Sequence, residues 1–145
     1  VSVNLIKLCV GIDDIDHLAR AQKARLDAAR AAGQPEVLRH ITRNTPRRAK
    51  EVLDGGSLYW VIRRVIMVRQ RIIGLESYKR EDGRPACAII LDPEYIRTEP
   101  RRFRAFQGWR YFPMEDAPPD LTAAGVDASQ LPPEMAAELR ELGLI

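Results

Sequence analysis

From Asp54 to Ile73 the chain reads Asp-Gly-Gly-Ser-Leu-Tyr-Trp-Val-Ile-Arg-Arg-Val-Ile-Met-Val-Arg-Gln-Arg-Ile-Ile, its longest run dense in β-branched and aromatic residues. Such residues suit a pleated, half-buried surface, and Gly55-Gly56 in front frees the backbone to leave a helix and enter a sheet. This predicts the central hairpin of a barrel or strongly bent sheet. Leu58, Trp60 and Ile62 fall on one face and Tyr59 and Val61 on the other, so both faces are expected to be covered. Arg63-Arg64 stands where the turn belongs, yet a tight hairpin prefers Gly or Asn with positive φ, which leaves a bulge as the alternative. Beyond it, alternation groups Ile66, Val68, Gln70 and Ile72 on one side and Met67, Arg69, Arg71 and Ile73 on the other. Arg69 and Arg71 are therefore expected side by side. Gly74 marks a bend or bulge in a strand that continues through Leu75 and Tyr78.

The remaining elements follow from local signals. Asn4 to Val10 reads as an internal strand ending at Gly11. Asp13 or Asp14 then caps a helix whose apolar positions Ile15, Leu18, Leu26 and Ala29 recur at helical spacing until Gly33. Val37 to Thr42 alternates as a second strand. Thr45 is placed as N-cap and Pro46 as first residue of a short helix with Ala49, Val52 and Leu53 inward. Asp82-Gly83 is the strongest hairpin signal, returning Ala86–Leu91 along Ile72–Tyr78 until Asp92-Pro93 ends the strand. A short strand at Tyr95–Thr98 and a break at Glu99-Pro100 complete the body.

At 145 residues and 46% hydrophobic content the expectation is one domain. Arginines interrupt every apolar run short of the ~18 residues that a membrane helix needs. The stretch Val3–Val10 is short, contains Lys7 and leads into Asp13-Asp14, unlike a cleaved leader, so the expected location is the cytoplasm. Cys9, Cys87, His17 and His40 have no metal-ligand spacing, so neither metal nor other cofactor is implied.

The net charge of +3 conceals a split. Residues 1–112 carry 22 Lys and Arg against 13 Asp and Glu, a balance of +9, whereas residues 113–145 carry 1 against 7, a balance of −6. The chain thus divides into a basic α+β body, 1–112, and an acidic proline-rich tail, 113–145, in which Pro132-Pro133 opens a short amphipathic helix that must dock on something. Such asymmetry points to an anionic partner for the body or to a tail that folds back onto it.

Two stretches concentrate the basic charge. Arg43, Arg47, Arg48 and Lys50 crowd the start of the expected short helix, where the dipole favours anions over cations, so a phosphate would offset the cost. Reaching out to water or to Glu51 and Asp54 is the alternative. Arg101-Arg102-Phe103-Arg104-Ala105-Phe106-Gln107-Gly108-Trp109-Arg110-Tyr111-Phe112 interleaves arginines with aromatics. A site for single-stranded nucleic acid needs this mixture, rings stacking on bases and guanidiniums meeting phosphates. The competing reading is a closing strand whose Phe106, Trp109 and Phe112 fill the core while the arginines snorkel.

Asn4-Leu5-Ile6-Lys7-Leu8-Cys9-Val10-Gly11, Asp54–Ile62, Val68-Arg69-Gln70-Arg71-Ile72, Phe106-Gln107-Gly108-Trp109-Arg110-Tyr111 and Glu115–Leu121 together resemble an uncharacterised bacterial family, domain of unknown function 1489. That resemblance implies no activity, and it leads one to expect Lys-Gly where Arg63-Arg64 stands. In layout the chain is similar to PUA-like barrels, which commonly bind RNA or modified bases; there is no defining motif, so function drawn from it is analogy. The fold class expected is α+β, a small PUA-like mixed or antiparallel barrel or bent sheet with flanking helices.

The function expected is a nucleic-acid-binding module, first of all for RNA. Its groove would be built by Arg43, Arg47, Arg48 and Lys50, by Arg69 and Arg71, and by Arg101, Arg102, Arg104 and Arg110 with Trp109 or Tyr111. The alternative is a protein-interaction or assembly module, in its simplest form a homo-oligomer pairing tail with body. No hydrolase, P-loop or Rossmann signature is present, so no catalytic residue is assigned. Long-range pairs such as Cys9 with His40, or Tyr59 with Glu76, stay open because they would meet only in the fold.

Overall fold

A computed structural model of the protein describes residues 2–121. Strands β1 (Val3–Leu8), β2 (Leu38–Thr42), β3 (Ser57–Ile62), β4 (Val65–Lys79), β5 (Pro85–Arg102) and β6 (Trp109–Pro113) form one sheet in the order β2-β5-β4-β3-β1-β6. β1 and β3 run parallel and every other pair is antiparallel. A parallel pair needs a long crossover, here supplied by α1 (Ile15–Ala31), β2 and α2 (Ala49–Leu53). The architecture is α+β with a bent mixed sheet that does not close into a barrel. It bends far enough for its edges to meet: Trp109 Nε1 on β6 donates to the Asn44 carbonyl just past β2 at 3.0 Å.

Both faces of the sheet are covered, as the unbroken burial of Ser57–Ile62 requires. On one face Leu5, Leu58, Trp60, Ile62 and Ile72 pack with Ile15 and Leu18 of α1. The Asp14 carboxylate caps that helix by accepting the His17 N–H at 2.7 Å. On the other face Ile6, Tyr59, Val61, Ile66 and Phe112 form a smaller core closed by Phe103 and Phe106.

The alternation expected along β4 breaks at one point. Trp60 stands opposite Val68 but Val61 opposite Ile66, which leaves Met67 as the extra residue of a bulge. One extra residue inverts every side chain beyond it. Ile66 therefore joins Tyr59 and Val61, while Val68 joins Trp60 on the α1 face.

β5 does not end at Asp92-Pro93 or break at Glu99-Pro100, as its prolines suggested. Its register against β4 slips from Ile72↔Leu91 to Gln70↔Tyr95, and again from Val68↔Arg97 to Ile66↔Arg101. Each proline falls inside a slip, where its missing N–H removes no ladder bond. The first slip is pinned by a buried amide: Gln70, fully buried, exchanges hydrogen bonds with Gln22 of α1 at 2.7 and 2.8 Å. Its Oε1 accepts from Trp60 Nε1 at 2.9 Å and its Nε2 donates to the Asp92 carbonyl at 3.1 Å. Gln70→Leu strands the Gln22 amide and the indole N–H, so a loss of about 2–4 kcal/mol is expected in urea unfolding. The Gln22→Leu, Gln70→Leu pair should lose less than the single variant. A double variant worse than Gln70→Leu alone would contradict the shared network.

The short helix also starts later than its sequence signals indicate. Arg48 is its N-cap, without a side-chain cap bond, and α2 begins at Ala49. The Thr45 hydroxyl that was expected to cap it instead meets Ser77 Oγ of β4 at 2.5 Å. Tertiary contact outcompetes the local cap.

The first residues of the acidic segment belong to the body. After a 3₁₀ turn at Met114–Asp116, the Pro119 carbonyl accepts from Glu99 N–H and Leu121 N–H donates to the Arg97 carbonyl. Asp120 bridges to Thr98. The helix expected after Pro132-Pro133 lies outside the described residues.

Candidate functional site

The basic residues singled out in the sequence fall into separate settings. Arg43, Arg47 and Lys50 are exposed around α2, with no carboxylate at ion-pair distance among the described residues. Arg48 is occupied: Nε and Nη2 reach the two Glu51 oxygens at 2.6 and 3.0 Å, its backbone N–H donates to the Tyr111 hydroxyl at 3.1 Å, and its guanidinium lies 5.3 Å from the Tyr111 ring. The alternative of a Glu51 partner is the one realised. Arg69 is likewise held inside. It grips Asp120 with two bonds of 2.7 and 2.8 Å and the Ser57 hydroxyl at 2.8 Å, and this contact keeps the Asp120 carboxyl below its usual range. Arg71, two residues along and opposite Ser57, is exposed.

The aromatics point inward. Trp109 is tied to Asn44, Tyr111 to Arg48, and Phe103 meets Phe106 and Phe112 edge-on at 5.5 and 6.1 Å. Phe106, Trp109 and Phe112 thus take the packing role, while Arg101, Arg102, Arg104 and Arg110 stay on the surface. Arg101 donates to the Asp116 carbonyl, and Arg110 lies over the Phe106 ring at 4.6 Å. Trp109 and Tyr111 stand on the α1 face of β6 and Arg110 on the other, so one strand touches both basic regions.

A cluster that sequence reading did not assign lies at the β3–β4 turn. Ile62 pairs with Val65, so Arg63-Arg64 alone makes a two-residue turn, with φ of 49° and 68°. Both residues are left-handed, the geometry normally given to Asn-Gly. Val65 pairs with Arg102, and Phe103 N–H donates to the Arg64 carbonyl at 2.9 Å. An open groove of about 350 Å³ results, lined by Arg63, Arg64, Arg102 and Arg104 with Val65 and Phe103. The signal for it was present in the sequence: two adjacent like charges placed where the backbone disfavours any side chain.

The family model described as Protein of unknown function (DUF1489) matches residues 5–145. The chain belongs to that family. The DUF1489 match spans both basic regions and the acidic segment alike. No curated protein matches the sequence, and no solved structure does. Among the described residues no helix is long and apolar enough to cross a membrane.

Of the two long-range pairs left open by the sequence, Tyr59 and Glu76 stay apart: Tyr59 stands opposite Arg69, and Glu76, far along β4, pairs with Arg39 at 3.3 Å. Cys9 and His40 do line one cavity, under α1. Burial pushes the Cys9 thiol up to about 12, so it carries no nucleophilic thiolate at neutral pH. His40 stands edge-on to Trp60 at 4.9 Å, and burial, then the charges of Lys7 and Arg25, push its imidazole down to about 4. The folded protein holds it neutral while the unfolded chain takes up a proton below about 6.5. Stability should therefore be full above pH 6.5 and fall by roughly 3 kcal/mol toward pH 4. His40→Phe should flatten that part of a plot of urea midpoint against pH; an unchanged slope would contradict the assignment.

Proposed function

We propose that the protein binds nucleic acid, RNA first of all, by gripping the phosphate backbone at the Arg63, Arg64, Arg102, Arg104 groove. The observation that carries this reading is the turn itself. An arginine held at positive φ costs about 1 kcal/mol, and two in succession, beside the exposed Arg104, form a site prepared for an anion. The exposed Arg43, Arg47 and Lys50 form a second contact region within reach of β6. Because the rings are engaged in packing, base stacking contributes little, and binding should depend on phosphate far more than on sequence. Such a role places the protein in the cytoplasm, where RNA is available, and the layout likeness to PUA-like barrels is in keeping with it.

Two triple variants separate the regions: Arg63→Ala, Arg64→Ala, Arg104→Ala and Arg43→Ala, Arg47→Ala, Lys50→Ala, each tested for retention of a single-stranded RNA on filters. The first should lose about tenfold or more in affinity and the second a smaller amount. Equal retention of RNA by the first variant and the parent chain would remove the groove from the site. The competing reading, assembly through the acidic segment, would appear in light scattering as an oligomer that a chain ending at Leu121 no longer forms.

A further inference from the structure

A cavity separate from the arginine groove joins charge with burial. About 260 Å³ in volume, it opens between α1, β1 and β2. Its walls are polar and apolar in about equal measure, the apolar part including Ile12, Leu18, Leu38 and Leu91, and no Asp or Glu is among the described lining residues. Three cationic side chains reach it. Arg39 is paired outward with Glu76, but Lys7 and Arg25 have no carboxylate at ion-pair distance among the described residues. Lys7 is half-buried on β1, opposite Trp60 on one side and Trp109 on the other. His40 Nε2 is buried without a hydrogen-bond partner among the described residues.

A half-buried ammonium without a counter-charge is unfavourable, and a buried ring nitrogen without a partner costs about 1–3 kcal/mol. One group would satisfy both. An anionic oxygen between Lys7 and Arg25 would accept from each, and a turn of the His40 ring, whose Nε2 is closed off as it stands, would bring in the Nε2–H tautomer as a third donor, while the apolar part of the walls takes an uncharged body. We propose that this cavity is a binding site for a small organic anion, a carboxylate or phosphate ester on an apolar or aromatic body, held by Lys7, Arg25 and His40. It is independent of the nucleic-acid groove. The volume lies near the lower end for small-molecule sites, so the body is a single ring or short chain. The protonated thiol of Cys9 lines the wall as an apolar group, and the site binds without a covalent step.

Benzoate, phenyl phosphate and neutral benzamide serve as probes in NMR titrations of the full chain, read at the His40 ring and the Trp60 indole N–H. Benzoate or phenyl phosphate should shift both signals saturably, with benzamide at least about tenfold weaker. Lys7→Met, Arg25→Gln should weaken the anion by about tenfold or more, whereas Arg63→Asn, Arg64→Gly should leave it unchanged. Arg25→Gln alone, a change at an exposed residue on the rim of the cavity, keeps the test valid if the double variant does not fold. In the complex the anion offsets the two cations, so the His40 titration should move up toward its ordinary range. No saturable shift with any probe, equal binding of benzamide, or shifts centred on Arg63-Arg64 would overturn the proposal.

Discussion

Replacing Arg63-Arg64 by Asn-Gly should raise the melting temperature and weaken RNA binding in the same molecule. The stability gain follows from the backbone. Both arginines hold positive φ, 49° and 68°, in a two-residue turn for which Asn-Gly is the favoured pair. Relief of about 1 kcal/mol per residue, offset in part by the greater freedom of glycine in the unfolded chain, leaves a gain of about 1–2 kcal/mol, or several degrees. The binding loss follows from charge. Two phosphate contacts removed from a single-stranded ligand should make the dependence of log affinity on log salt shallower by about 1.4 and lower the affinity roughly tenfold at low salt. Opposite signs for the two effects are the signature of a strained turn retained for a ligand. A variant that gains stability and still binds RNA unchanged would make the turn a structural accident.

Gly56→Ala is expected to destabilise the fold at least as strongly as Gln70→Leu. Gly56 joins α2 to β3, donating to the Val52 carbonyl at 2.9 Å while its own carbonyl accepts the Ile72 N–H at 3.0 Å. An added Cβ would lie 2.3 Å from the Val3 carbonyl oxygen and 2.4 Å from that of Val52. Both obstacles are backbone, of β1 and α2, and neither rotates aside. Relief requires β1 and α2 to move apart at the centre of the sheet, at a cost of about 3 kcal/mol or more. Gly55→Ala is the control. Its Cβ would meet nothing within 4 Å, but its φ of +86° disfavours a side chain, so a loss of about 1 kcal/mol is expected. Urea unfolding of the two variants gives the comparison directly; similar losses would mean that conformation, and not the close approach of β1 and α2, governs this junction.

The fold was legible where local chemistry and tertiary packing agree. The apolar alternation of Leu58–Ile62, the Asp14 cap and the Asp82-Gly83 hairpin each specify a local geometry that the sheet then uses unchanged. Three features were hidden for a common reason. The Met67 bulge, the continuation of β5 through Pro93 and Pro100, and the loss of the Thr45 cap all depend on what lies across the sheet: Trp60, Gln70 and Ser77. Sequence spacing carries no information about a partner strand's register. The candidate site divides in the same way. That Arg104 and Arg110 face outward and Phe106 inward was one of two open readings of the aromatic stretch. The engagement of Arg69 by Asp120 and of Arg48 by Glu51, and the meeting of Arg63-Arg64 with Arg102 and Arg104, required the three-dimensional arrangement. Gln22 illustrates the point in the core, since nothing local marks a helix glutamine as the partner of a strand glutamine 48 residues away.

The most direct test of the central claim is fluorescence anisotropy of single-stranded RNA, duplex RNA and single-stranded DNA across a salt series, on the full chain and on Arg63→Ala, Arg64→Ala, Arg104→Ala. Phosphate recognition at the groove requires affinity that falls steeply with salt for the parent chain, weak dependence on base sequence, and a slope shallower by about 2 in the triple variant. Absence of binding at low salt, or an identical slope in parent and variant, would contradict it.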